Sequence, residues 1–275
     1  MERLEQLMQG FVKKNVHLSL RNFNDMDSPV QCSSDIQISP DKDNRPNIIK
    51  KTKKLKKRAA NPIKMLWEYF QYEALSRVFT HYQVDNEAVN VVVPKPYAVM
   101  PKDYTLFTEF MPGFILKIFG KKMDKGVVVM HYNGDEMPAE CSVAFHLGYI
   151  SRIKEIEGIY HSDFDLRHII YDVEGVGISM FDLENTRFVG DGKTVVGETA
   201  FMKRLWFDFA TDGRGCSREE LERHYQEGRE TVKRPTTPRY RKTLEEVGEE
   251  YGVRIKFNGM IDKVDVKLQK PKIRR

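Results

Sequence analysis

Cysteine is scarce in this 275-residue sequence, which holds only Cys32, Cys141 and Cys216. Three widely separated thiols build neither a disulfide framework nor a zinc knuckle, and a reducing, cytoplasmic setting is expected. No uncharged apolar run reaches about 18 residues, which excludes a membrane-spanning helix. Charged residues in Met1-Glu2-Arg3-Leu4-Glu5 occupy the place where a secretory signal carries its apolar run, so no such signal is expected. No internal repeat, helix-turn-helix or aromatic-rich RNA-binding pattern is found, which argues against a sequence-specific nucleic-acid reader.

What is present is enough apolar material for a substantial core: 40% hydrophobic residues, with 16 Phe, 12 Tyr and 12 Met. A wholly disordered chain is thereby excluded. The formal net charge of +5 is unevenly placed. Residues 229–275 hold 14 Lys and Arg against 7 Asp and Glu. A second basic block, residues 50–58, has seven cations in nine positions. Such clusters either hold phosphates or other polyanions or form solvated loops.

Apolar spacing predicts an amphipathic helix over residues 1–14 and a strand near 16–20. A polar loop follows at 21–29, then strands around Ile36 and Ile38 and over 47–52. Residues 62–82 read as a helix entered through Pro62, a position where proline is tolerated. Short apolar runs at 89–93, 97–100 and 104–110 read as antiparallel strands. Met111-Pro112-Gly113 is a break, and 114–138 reads equally as a helix or as a hairpin ending at Asn133-Gly134. A helix then runs from Pro138 to near Gly158, followed by a hairpin of 168–171 and 178–181. Helices are expected at 199–210, after Ser217 with its capping-box spacing to Glu220, and at 244–251. The order predicts an α+β chain of two unlike lobes. The expected divisions are an N-lobe over 1–109, a C-lobe over 110–228 and a basic tail over 229–275.

The chemistry is concentrated between residues 159 and 184. A polar loop, His161-Ser162-Asp163, precedes the hairpin, and Phe181-Asp182-Leu183-Glu184 follows it. Because a hairpin returns its ends to one place, Asp163, His168 and Asp182 are expected to converge on a cation. Phosphoryl transfer uses such a set, one carboxylate orienting the attacking hydroxyl and others holding the metal against nucleotide phosphates.

These residues resemble the protein-kinase-like superfamily, in particular atypical members of the RIO, lipopolysaccharide-kinase and aminoglycoside-phosphotransferase types. His161-x-Asp163 matches the first half of the family's catalytic loop, and Phe181-Asp182-Leu183-Glu184 its metal loop. His168 stands where the family has asparagine, and no glycine occurs in residues 21–30, where the family has a glycine-rich loop. The resemblance implies a bilobal kinase-like fold with a small antiparallel-sheet N-lobe, a mostly helical C-lobe and a hinge at 110–113. It implies ATP and Mg²⁺ (or Mn²⁺) as cofactors, with Asp163 as the catalytic acid and Asp182 and His168 as metal ligands. Lys50, with Lys51 its close competitor, would reach the phosphates and pair with Glu73, while Glu68 would be a surface ion-pair partner. The Glu109 carbonyl and the Met111 amide would meet adenine. The implied acceptor is a hydroxyl of protein Ser or Thr, of the chain itself, or of a small alcohol. Two alternatives stand beside it: a pseudokinase that binds nucleotide without turnover, and a nucleic-acid-associated protein whose basic tail holds a polyanion.

Overall fold

The computed structural model describes residues 9–13, 24–25, 34–40, 46–53, 62–83, 89–116, 129–132, 135–162, 165–172, 174, 177–190, 192–210, 216–233, 237–257 and 264–268. Asp163 and Cys32 lie outside the described residues, as do the strand expected near 16–20 and residues 1–8 of the expected first helix.

The first layer is a six-stranded antiparallel sheet. It contains β1 (Phe11–Val12), β2 (Asn24–Asp25), β3 (Ser34–Pro40), β4 (Pro46–Lys53), β6 (Pro96–Met100) and β7 (Thr105–Glu109), in the order β1-β6-β7-β4-β3-β2. Phe11 and Val12 pair with Val99 and Ala98 rather than extending a helix from residue 1. Gly10, at φ 98°, breaks any helical run just before them.

Between β4 and the next strand runs α1 (Pro62–Gln83), as its apolar spacing predicts. It is buried on most of its circumference, with Met65, Leu66, Tyr69, Phe70 and Ala74 fully buried. Val99 and Leu106, from the face of the sheet that α1 covers, join the same core. Each of the larger apolar side chains buried here contributes roughly 1.5–3 kcal/mol of transfer free energy.

β5 (Asn90–Val92), β8 (Phe114–Ile115), β12 (Ile169–Asp172) and β13 (Gly177–Met180) form a second sheet in the order β5-β13-β12-β8. Residues 110–113 therefore carry the chain from the last strand of one sheet, β7, to β8 of the other. The stretch before Pro138, read as a helix or as a hairpin ending at Asn133-Gly134, contains a hairpin of β9 (Val129–Tyr132) with β10 (Asp135–Pro138), which runs beyond that expected end. α2 (Ala139–Glu157) follows and stops at Gly158. β11 (Ile159–His161) pairs with β14 (Thr186–Phe188), so the catalytic-loop and metal-loop candidates are brought together by their flanking strands.

α3 (Gly192–Ala210) and α4 (Arg218–Thr231) complete the helical layer. The Ser217 hydroxyl accepts from the Glu220 amide at 3.1 Å, and the Glu220 carboxylate accepts from the Ser217 amide at 2.7 Å. That is the capping box read from sequence. α2 and α4 approach so closely that a Cβ on Gly148 would lie 2.0 Å from the Tyr225 carbonyl oxygen, and one on Gly228 1.9 Å from that of Phe145. Only hydrogen is tolerated at either crossing point.

The boundary expected at 228 falls inside α4, and the segment beyond it is not a separate appendage. α5 (Tyr240–Glu250) packs against α1, and β15 (Val253–Phe257) pairs with β16 (Val264–Leu268). Tyr240, Leu244, Val247 and Val253 are fully buried in the main core. The carboxylate of Glu157, also fully buried, accepts from the amides of Arg239 and Tyr240 at 2.5 and 2.7 Å and from the Tyr82 hydroxyl at 2.6 Å. The negative end group of α2 thus caps the first turn of α5. The architecture is α+β, with sheets antiparallel except for the parallel pairing of β5 with β13, and five helices among the described residues. No described helix is long and apolar enough to cross a membrane.

Candidate functional site

Side chains alternate across a strand, so β4 sends Lys50 and Lys51 to opposite faces. Lys50 lies opposite Gln37 of β3, and its ammonium donates to that amide oxygen at 2.8 Å. Lys51 points the other way, toward α1. Its Nζ donates to Glu68 Oε1 at 2.8 Å and to Asp182 Oδ1 at 2.5 Å. The lysine of the site is therefore Lys51, and the pleat decides it.

The helix acid is likewise displaced from its expected position. Glu73 binds the Lys13 ammonium at 2.5 Å and the Arg77 guanidinium at 3.0 Å, away from Lys51. Glu68, expected at the surface, is fully buried, and its Oε2 has no hydrogen-bond partner. The two acids are five positions apart, so they lie on different sides of the helix. Both sides are buried, one against the sheet and the other facing α5, so apolar spacing does not distinguish the inner acid.

Asp182 leaves the β12–β13 hairpin in the left-handed region, at φ 60° and ψ 52°. A non-glycine residue stays there only when its surroundings hold it. Its amide donates to the Tyr72 hydroxyl oxygen at 2.8 Å, and its carbonyl accepts from His161 Nε2 at 2.8 Å. That second bond places the proton of neutral His161 on Nε2. Burial, reinforced by the Lys154 ammonium, pushes the His161 pKa down to about 4. His161 is also fixed from behind, because its amide donates to Glu198 Oε2 at 3.0 Å while the other oxygen of Glu198 binds buried Lys154. Burial lowers the Lys154 pKa, and the Glu198 carboxylate opposes that shift.

The electrostatics follow from this geometry. Burial alone would raise the Asp182 pKa, but Lys51, helped by His168 and Lys53, pulls it down to about 2. Burial disfavours the Lys51 charge, yet Glu68 and Asp182 outweigh it and hold its pKa above the usual lysine range. Lys53, on the same face of β4, pairs with Glu184. The site therefore has two cations on a strand facing carboxylates from the helix and the metal-loop candidate.

His168 is brought to this cluster, its Nε2 standing 3.5 Å from Asp182 Oδ2. Asp165 caps the turn that carries it, accepting from the Arg167 amide at 3.1 Å. Among the described residues, no three His, Cys, Asp or Glu side chains are arranged to hold a metal ion together. Glu109 ends β7, where its carboxylate accepts from the Lys95 amide at 3.2 Å, and Met111 is half-buried in the segment linking the two sheets. Asp163 falls outside the described residues, two positions beyond His161.

Tyr72, Lys154, Glu198 and Lys53 are participants that sequence reasoning missed. Tyr72 carried a signal, since it lies one helical turn from Glu68. The others were legible only once the strand face and the helix packing were known.

The basic segment beyond 228 is partly neutralised where it is described. Arg229 pairs with Glu155, Arg241 with Glu245, and Lys242 with Glu246. Cys141 and Cys216, distant in sequence, are free buried thiols with sulfurs 2.8 Å apart. No protein-family model matches the chain, and no curated protein matches it.

Proposed function

We propose that the chain is an atypical kinase-like phosphotransferase that passes the γ-phosphoryl group of ATP to a hydroxyl. The observation that carries this reading is the bridge of Lys51 between buried Glu68 and Asp182. A strand lysine paired with a helix glutamate, beside the acid of a metal loop, is the arrangement by which kinases hold nucleotide phosphates. The link from His161 to the Asp182 carbonyl further supports it, because it joins the two loops that the resemblance identifies.

The donor set suits one Mg²⁺, which takes hard oxygen ligands from one or two carboxylates and completes its shell with phosphates and water. Asp182 is ionised down to about pH 2 and offers such an oxygen. The imidazole of His168 is a poorer magnesium ligand than the amide oxygen of the family's asparagine. Bound Mg-ATP would supply the transferable phosphoryl group and neutralise its charge. Lys51 would exchange its bond to Asp182 for a phosphate oxygen while keeping its bond to Glu68. Asp163 would receive the proton of the acceptor hydroxyl, and residues 109–111 would meet the adenine edge.

His168 beside Asp182 favours a second reading, a pseudokinase that binds nucleotide without transfer. Incubation with labelled ATP, Mg²⁺ or Mn²⁺ and protein or small-alcohol acceptors separates the two. Transfer by the wild type, abolished by Asp163→Ala with ATP binding retained, is the expected result. Nucleotide binding without transfer would select the pseudokinase. Failure to bind nucleotide with either metal would reject both.

A further inference from the structure

We propose that Tyr72 is a positioning residue that ties the helix bearing Glu68 to the acid of the metal-loop candidate, by accepting the Asp182 amide hydrogen on its hydroxyl oxygen. The proposal rests on the phosphotransferase reading and assigns a further residue to that site. Tyr72 lies one turn beyond Glu68, so α1 directs two groups at the same place, a carboxylate for Lys51 and a hydroxyl for the backbone of Asp182. Its ring is nearly fully buried, at 3% exposure, so the hydroxyl has little freedom to turn elsewhere.

Asp182 needs such a hold. It is one of two described non-glycine residues at positive φ, and it has left the hairpin ladder. Its peptide groups are gripped from opposite sides, the amide by Tyr72 from α1 and the carbonyl by His161 from β11. Removing the first grip lets the backbone relax toward the ordinary region, and the carboxylate turns with it. A shift of α1 away from the sheet would then disturb both the Lys51–Glu68 pair and the orientation of Asp182. The helix position and the metal-loop geometry are set together.

The test uses full-length Tyr72→Phe, which keeps the ring and removes only the oxygen. Hydrogen exchange of the ligand-free protein, read on the peptide covering 178–188, should show about tenfold faster exchange at Asp182. The Mg²⁺ concentration for half-maximal ATP binding should rise about tenfold, with a thermal midpoint within a few degrees of wild type. In an Asp182→Asn background the same substitution should leave ATP affinity unchanged, since the acid it positions is gone. Unchanged exchange at Asp182 would overturn the proposal whatever the protein binds. A lower thermal midpoint with wild-type Mg²⁺ dependence would reduce Tyr72 to a packing residue and overturn it too. Faster exchange in a protein whose wild type binds no Mg-ATP would refute the phosphotransferase reading, and the positioning role with it.

Discussion

Replacing Lys51 by methionine keeps a long apolar stem on β4 but removes the cation shared by Glu68 and Asp182. Glu68 is fully buried and has one oxygen already without a partner, so its charge has nowhere to go. Asp182, with 30% of its side chain exposed, can turn to water and costs less. Breaking a buried pair from one side costs about 3–5 kcal/mol, and the partial exposure of Asp182 favours the lower end, about 3 kcal/mol. Lys50→Met removes a hydrogen bond to the neutral Gln37 amide, worth about 0.5–1.5 kcal/mol. The double variant Lys51→Met/Glu68→Leu removes the stranded charge and should regain most of the loss, because apolar replacements of buried ion pairs are often near neutral. Urea unfolding at pH 7, compared at constant denaturant slope, reads all three. Equal losses in Lys50→Met and Lys51→Met, or no recovery in the double variant, would refute the assignment of Lys51 and Glu68.

Two further predictions come from buried groups outside that pair. His146 and His161 are both held down to about 4 by burial, so each stays neutral in the native chain while the unfolded chain titrates near 6.5. Between those values the unfolded state binds more protons, so stability is full above about pH 6.5 and falls as the pH drops toward 4. Each histidine should cost about 2 kcal/mol at pH 5. His146→Leu should narrow the gap between unfolding free energies at pH 7 and pH 5 by about that amount, and an unchanged gap would contradict it. Glu157→Leu removes the acceptor of three hydrogen bonds and leaves the Arg239 and Tyr240 amides, both held by one carboxylate oxygen, without it. It should lose about 3 kcal/mol and expose α5 to limited proteolysis, and wild-type protection of α5 would show that it docks without Glu157.

Most of the described helices and the β12–β13 hairpin were legible because their signals are local. Ser217 and Glu220 announce the start of α4, Pro62 the start of α1, and alternation through 169–172 and 177–180 the hairpin that carries Asp182. The approach of His168 to Asp182 was also legible from that hairpin. The partner of Asp182 was not, because a run of lysines offers a cation on both faces of β4 and only the register with β3 and β7 distinguishes them. Glu68 escaped for the opposite reason, since α1 is buried nearly all round and has no polar face to mark the inside. The docking of the C-terminal segment was written in the sequence and hidden by charge. Tyr240, Leu244 and Val247 recur at helical spacing, and Val253, Ile255 and Phe257 alternate before a second alternating run at Val264, Val266 and Leu268. The helix was expected at 244–251, but counting cations over 229–275 obscured its packing and the strands that follow it.

The contact between α5 and α1 also sets an order of events during synthesis. The Tyr69 and Tyr251 hydroxyls, 2.9 Å apart, belong to residues 182 positions apart in the chain. At translation rates of about 5–20 residues per second, α1 waits about 10–40 s on the ribosome before its outer face is covered. Through that interval Tyr69 and Phe70 lack the Tyr251 ring that packs on both. A nascent chain halted before α5 would carry every residue of the candidate site yet leave the helix that aligns Glu68 and Tyr72 unsupported. Synthesis of α5 and Tyr251 is thus itself a condition for supporting the face of α1 opposite the candidate site.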